Sequence, residues 1–353
     1  MGIPAIVAAG EGKASRAVYG ESKVYLDVGG RPLVARIVST LQRVPEVSEV
    51  WVVGNAERLG TVLGEPGLQA ELEKPVHVVP QFRNLYENLW ETWRRSLPGA
   101  PPEGRDPGPD DRERAGLFLS ADLPFATPHE LSAFVRRAFD SGGDFVTGLV
   151  PESAMEIFAP KAPGEPGIEM AYFNVAEGRY RQSNLFVVKP AKLGHRFYIE
   201  EMYEHRYQKQ LWPIVGLAWR LLTNEGGGFG LLWNFALLQI AGVANRVGWL
   251  WLSDAIRARL PFSKVEHLMS RLMATDFRFV STEVGGCAVD VDNEEDYDAT
   301  RARFHEWLPA QLARGEALYG ALPASASPPE AASASPPEAA SASSRDDAAP
   351  EGS

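Results

Sequence analysis

The stretch Ile3-Pro4-Ala5-Ile6-Val7-Ala8-Ala9-Gly10-Glu11-Gly12-Lys13-Ala14-Ser15-Arg16 decides how the rest of the chain is read. Residues 3–8 are a short apolar run of the kind that makes a buried strand. The run breaks into glycines and small residues, then meets Arg16 and, after a gap, Ser22-Lys23. Further on, Arg31-Pro32-Leu33-Val34-Ala35-Arg36-Ile37-Val38-Ser39-Thr40-Leu41 has the apolar spacing of an amphipathic helix. A strand that opens into a Gly-rich turn presents backbone N–H groups as a concave nest, which suits an anion. With Arg16 and Lys23 on its flanks, a di- or triphosphate is the natural occupant. The spacing is not that of a P-loop, because no Gly-Lys-Ser/Thr closes it, nor is it the G-x-G-x-x-G dinucleotide fingerprint.

Two further apolar runs follow, Glu49–Gly54 and Pro75–Pro80, with helix-like segments between them. Strand, helix, strand, helix, strand is the order of a parallel sheet with helices on its faces. Ligands of such sheets lie outside the carboxyl ends of the strands. That edge would carry Gly10–Arg16, the turn Gly54-Asn55, and Gln81, with Asn84 and Asn88 as neighbours. Residues 98–114, dense in Pro and Gly, read as a mobile surface loop without helix or strand. It delivers Gly116-Leu117-Phe118-Leu119-Ser120-Ala121-Asp122-Leu123-Pro124-Phe125, an apolar strand that ends in Asp-x-Pro and so puts a carboxylate at the rim. Thr127-Pro128 then caps and opens a helix. Further strands are expected at 144–150 and 182–190, with hairpin-like runs over 160–182.

After a strand at Phe279–Thr282 comes Ala288-Val289-Asp290-Val291-Asp292-Asn293-Glu294-Glu295-Asp296-Tyr297. Alternation along a strand puts Asp290 and Asp292 on one face, where two like charges are costly unless a cation lies beside them. One of the two is expected to join Asp122 around a metal, with Asp292 preferred for its place at the strand end. Hard oxygen ligands beside a phosphate site mean Mg²⁺. Glu294, Glu295 and Asp296 suit the positive end of the closing helix, near 295–319.

These residues together resemble the signature of the MobA-like NTP transferases, nucleotidyltransferases of the GT-A-like fold that include molybdenum cofactor guanylyltransferase and sugar- or alcohol-phosphate nucleotidyltransferases. The resemblance is carried by Ala8, Ala9, Gly10, Gly12, Arg16, Lys23, Gly30, Pro32 and Leu33, by Asp122-Leu123-Pro124, and by the acidic stretch from Asp290. It departs at Ala14, where many relatives have Arg, at Ser22 where Pro-Lys is usual, and at Asn293-Glu294 where Thr-Pro is usual. The implied fold is a three-layer α/β/α sandwich on a mostly parallel sheet. The implied nucleotide site comprises Ala8, Ala9, Gly10, Gly12, Lys13, Asn55 and Gln81, with Arg16 and Lys23 acting on the phosphates. Arg181 and Asn184, beside Ser183, would face the second substrate, Lys189 would serve a phosphate, and Asp122, Asp290 and Asp292 would hold Mg²⁺.

The stretch from about 193 to 275 departs most from small members of that family and reads as a helical insertion rich in tryptophan, with Trp212, Trp219, Trp233, Trp249 and Trp251. Residues 226–245 carry no charge, a length that can span a bilayer, although Asn234, Gln239 and the glycines weigh against a span. A buried helical subdomain and an interfacial membrane contact or lipid-like groove both fit the aromatic content and the basic residues that follow. The expected layout is a nucleotidyltransferase domain over 1–320 and a disordered Ser/Pro/Ala/Glu tail over 321–353, in which the octet 325–332 repeats as 333–340.

Composition narrows the partners. The net charge is −11 and no Lys/Arg-rich run occurs, which speaks against nucleic acid. One cysteine, Cys287, leaves no intrachain disulfide and no cysteine-based zinc cluster. The N-terminus lacks a basic region followed by an apolar one, so a cytoplasmic location is expected, with the insertion as a point of peripheral membrane contact. The activity implied is transfer of NMP from an NTP to a phosphorylated small-molecule or lipid-like acceptor, releasing pyrophosphate. A glycosyltransferase of the same fold using an NDP-sugar, or a non-catalytic nucleotide-binding scaffold, are the alternatives.

Overall fold

The computed structural model describes residues 2–11, 17–162, 164–194 and 261–322. Strand β1 (Ile3–Ala9) starts the sheet, followed by the short strands β2 (Ala17–Val18) and β3 (Glu21–Ser22), which pair as a small hairpin. The sheet continues with β4 (Val47–Gly54), β5 (Val76–Pro80), β6 (Gly116–Ser120), β7 (Phe145–Pro151), β8 (Phe173–Val175), β9 (Gly178–Val188) and β10 (Phe277–Ser281). The helices are α1 (Leu33–Gln42), α2 (Ala56–Leu63), α3 (Pro66–Gln69), α4 (Leu85–Arg95), α5 (Pro128–Asp140), α6 (Glu152–Met155), α7 (Phe262–Met273) and α8 (Glu294–Tyr319).

The strand order is β10-β7-β9-β6-β1-β4-β5, with β8 pairing β9. Neighbours are parallel except where β9 lies antiparallel to both β6 and β7. This is the mostly parallel sheet expected. Period-two alternation divides the side chains between two faces. Ala5, Val7, Leu117, Leu119, Leu185 and Val187 point to one layer, which holds Val34, Ile37, Val38 and Leu41 of α1 and Leu131, Phe134 and Val135 of α5. Ile6, Phe118 and Val188 point to the other, where Trp93 of α4 is buried. The result is an α/β/α sandwich.

A third cluster closes the site end. Val18, Leu26 and Val28 from the segment after the first loop pack with Phe125, Phe158, Val289, Val291, Phe304 and Trp307. Two glycines permit close backbone passage here. A Cβ on Gly54 would lie 2.4 Å from the Ala9 carbonyl oxygen, and one on Gly286 would lie 1.9 Å from that of Phe125.

Three expectations change. Asp290 and Asp292 lie in an extended segment outside the sheet, because pairing ends at Ser281 and a 3-10 turn, Gly286–Ala288, intervenes. Their shared face survives, since Val289 and Val291 are buried in alternation with them. The 98–114 loop is cross-linked by the buried Asp111, which accepts from Arg105 at 2.7 and 2.9 Å, from Arg114 at 3.1 Å and from the Gly108 N–H at 2.8 Å. A 3-10 turn, Pro109–Asp111, also forms there. The end of the expected insertion belongs to the main body: α7 packs on β10 through Phe262 and Phe279, and Glu266 accepts the Phe279 N–H at 2.8 Å. Residues 195–260, with all the tryptophans of that stretch, and the tail from 323 lie outside the described residues. Among the described residues no helix is long and apolar enough to cross a membrane.

Candidate active site

Every parallel strand brings its carboxyl end to one edge, and the reversed β9 brings its start there. Asp122 follows β6, Arg181 lies near the start of β9, and the segment after β10 supplies Asp290 and Asp292. One oxygen from each of Asp122, Asp290 and Asp292 lies within 4.8 Å of the others. Asp122 is buried and Asp292 exposed. Ser120 donates a short hydrogen bond to Asp122 from the last position of β6.

Lys23 reaches this group from the other end of the sequence. Its Nζ lies 2.5 Å from Asp122 Oδ2 and 2.9 Å from Asp292 Oδ1. The reach depends on α8. The Tyr297 hydroxyl donates to the Asp27 carbonyl at 2.9 Å, and Tyr19 donates to Asp298 at 2.7 Å, so the segment around Lys23 is bound to the start of that helix. Asn293, the departure from the Thr-Pro pattern, caps α8 by accepting the Asp296 N–H at 2.8 Å. Burial pulls the Lys23 ammonium down, but the carboxylates of Asp122 and Asp292 outweigh it and the net shift is upward. Asp290 is raised to about 6 by burial and by the Asp122 and Asp292 charges, against the opposing effect of Arg181 and Lys23.

Arg181 donates to the Ala288 carbonyl at 2.6 Å and to Asp290 at 3.0 Å. The side chain expected to face a second substrate therefore has a carboxylate partner within the site. Asn184 lies three residues further along β9, between the buried Ser183 and Leu185. Lys189 is at the far end of the same strand, 3.1 Å from Asp144 at the start of β7. The antiparallel run of β9 carries it to the edge opposite the site, so it cannot serve a phosphate bound there.

Where the nucleotide is expected, Gln81 accepts the Glu11 N–H at 2.9 Å, and its own backbone N–H donates to the Gly54 carbonyl at 2.8 Å, so the ends of β1, β4 and β5 meet. Asn88 is buried, and a Cβ on Gly10 would lie 3.1 Å from its Nδ2. Asn55 and Asn84 cap α2 and α4, accepting the N–H groups of Arg58 at 3.2 Å and Glu87 at 2.8 Å. Ala9 is fully buried and Ala8 gives its carbonyl to the Ala121 N–H at 3.0 Å. Gly12, Lys13 and Arg16 lie outside the described residues.

Two residues at this edge escape a reading of the sequence. Arg58 joins Glu11 at 3.0 Å and Glu21 at 2.8 Å, with its guanidinium 3.9 Å from the Tyr25 ring centre. Glu130 is fully buried and accepts from the Thr282 hydroxyl at 3.2 Å and the Cys287 N–H at 3.0 Å. Burial raises it to about 8, despite those donors. It thereby staples the loop that leads to Asp290 onto the helix that follows Asp122. An acidic residue three places after Thr127 signals only a helix start.

Residues 5–160 match the family model of the MobA-like NTP transferase domain. A curated relative, 2-C-methyl-D-erythritol 4-phosphate cytidylyltransferase of Chlorobium luteolum, is 26% identical over 140 residues. That match covers 40% of this chain and 55% of the relative, so the chain spans about half the length of the protein it matches. Among solved structures, a hypothetical transferase of Thermus thermophilus has a TM-score of 0.47 at 22% identity, over 84% of this chain and 99% of the other. CMP:2-keto-3-deoxy-manno-octonic acid synthetase, in its CTP complex, has a TM-score of 0.45 at 12% identity, over 86% and 98%.

Proposed function

We propose that the chain is a nucleotidyltransferase that moves a nucleoside monophosphate from an NTP to a phosphorylated acceptor, with Mg²⁺ as cofactor and pyrophosphate as leaving group. One observation carries the reading. Three carboxylates and Lys23 converge from distant segments beside the Gly-rich loop, in a chain whose residues 5–160 match the MobA-like model.

The residues fit a divalent cation. The donors are all carboxylate oxygens within 4.8 Å of one another, with Lys23 on Asp122 and Asp292 and Arg181 on Asp290. Asp122, Asp290 and Asp292 would hold the ion, which when bound supplies positive charge to phosphate oxygens. The chain's own groups orient the reactants. The backbone at Gly10 and Glu11, with Lys13 and Arg16, would face the β- and γ-phosphates, and Lys23 would face the α-phosphate. An ionised oxygen of the acceptor's phosphate attacks the α-phosphorus, and the bond from that phosphorus to the oxygen bridging toward the β-phosphate breaks. The electron pair leaves with pyrophosphate, so no side chain needs to act as a base. Arg181 holds Asp290 in place, and Asn184 is the polar side chain proposed for the acceptor.

The match to a cytidylyltransferase makes CTP the first nucleotide to test, and a sugar or polyol phosphate the first acceptor. The test is thermal shift against the four NTPs, each with and without Mg²⁺, followed by pyrophosphate release. A Mg²⁺-dependent shift with one NTP is expected. No shift with any of them overturns the proposal in favour of a non-catalytic role.

A further inference from the structure

The contacts of Lys23 bear on how a metal could enter this site. Its ammonium lies 2.5 Å from one oxygen of Asp122 and 2.9 Å from one of Asp292. A Mg²⁺ ion binds carboxylate oxygens at about 2.1 Å. An ion on the same two oxygens and the Lys23 nitrogen would be close neighbours, both positive, in a site where the lysine side chain is only 17% exposed. Asp122 is buried and Asp292 exposed, so solvent screens the repulsion least at the Asp122 end.

The backbone around Lys23 is fixed. Val24, Leu26 and Val28 are buried, and the Asp27 carbonyl accepts from Tyr297. What can move is the lysine side chain, an unbranched stem with freely turning bonds. A phosphate bound at the end of β1, where Gly10 and Glu11 follow the strand, is the group that would draw the ammonium off the carboxylates.

We propose that Lys23 is the cation resident on Asp122 and Asp292, and that it competes with a divalent ion for these two carboxylates. Phosphate binding and metal binding are then coupled through the swing of one side chain. Without nucleotide the lysine suppresses metal binding. With nucleotide it moves to the phosphates, and the trio regains the charge that holds the ion. The coupling is reciprocal, so the metal raises nucleotide affinity by the same factor. The nature of the anion rests on the nucleotidyltransferase reading, whereas the competition involves only this chain and an ion.

The test is Mn²⁺ binding to the full chain, followed by the loss of the free-ion EPR signal, for the wild type, Lys23→Met and Asp122→Asn. Lys23→Gln serves as a second neutral variant should the methionine chain fail to fold. Without nucleotide, the neutral variant should bind Mn²⁺ about tenfold more tightly than wild type, or better, and Asp122→Asn should weaken binding. Saturating CTP should then tighten Mn²⁺ binding less in the neutral variant than in wild type. Equal or weaker Mn²⁺ binding by the neutral variant overturns the competition, even where Asp122→Asn shows the site to be real. Binding indifferent to Asp122→Asn, or absent from every chain, removes the metal site and the proposal with it. Failure of CTP to bind, with the tenfold difference intact, would count against the nucleotidyltransferase reading alone.

Discussion

The two edges of the sheet each gather charge, but they balance it differently. At the far edge Asp144 and Glu113 meet Lys189 and Lys192, two negative charges against two positive. The loop beside that edge is equally settled: the Asp111 carboxylate has four donated hydrogen bonds, and the Arg105 guanidinium first among them holds its pKa down at about 2. At the site edge, among the described residues, Lys23 bridges Asp122 and Asp292 and Arg181 meets Asp290, which is raised rather than lowered. A saturated carboxylate is structural. Three carboxylates kept close by the fold at the cost of mutual repulsion form a cluster whose oxygens fit a cation, the role proposed for them.

Substitution can break that contrast. The largest effect is expected at Asp122: Asp122→Ala should reduce pyrophosphate release by about a thousandfold or more while the fold persists. Asp144→Ala at the far edge should leave the rate within about twofold. Equal losses from both would erase the distinction.

Next in size is a pH effect at Glu130, which lies behind the site. This group ionises near 4.5 when unfolded but is raised to about 8 when folded, so between those values the native chain binds a proton that the unfolded chain has lost. Its contribution to stability is complete below about pH 4.5 and declines as pH rises through 8, by up to about 1.4 kcal/mol per unit. Urea unfolding between pH 5 and 9 should show this slope in the wild type and a shallower one in Glu130→Gln.

Asp111→Ala should destabilise by about 2–3 kcal/mol, because Arg105 and Arg114 lose their buried partner, and should leave turnover unchanged. The smallest effect is expected from Asn293→Ala, about 1 kcal/mol in a thermal melt for the lost helix cap. A larger loss of activity than of stability there would show that the cap also positions Asp292.

Much of the frame was legible because its signals are local. The alternation in Ile3–Ala9 and Gly116–Ser120, the cap Thr127-Pro128, and Asp122 after its strand can each be read within a few residues. What escaped is what folding joins across the chain. Lys23 reads as a phosphate ligand, yet its partner Asp292 is 269 residues away. Arg181 reads as a substrate contact, yet it meets Asp290, and Lys189 reads as a phosphate ligand, yet the reversal of β9 carries it to the opposite edge. Glu130 reads as a helix-start residue because nothing near it in sequence hints at Thr282 or Cys287. The Pro/Gly-rich run 98–114 hides Asp111 for the same reason.

The reversed strand β9 has an evolutionary consequence. Because it runs against its neighbours, the turn between β8 and β9 opens on the same side as Asp122, while β1, β4 and β6 stay untouched behind it. A hairpin turn is among the least costly places to lengthen a chain, since closure entropy grows only slowly with loop size. Selection can therefore remodel the wall that would receive the second reactant, residue by residue, without renegotiating the machinery that would grip the first.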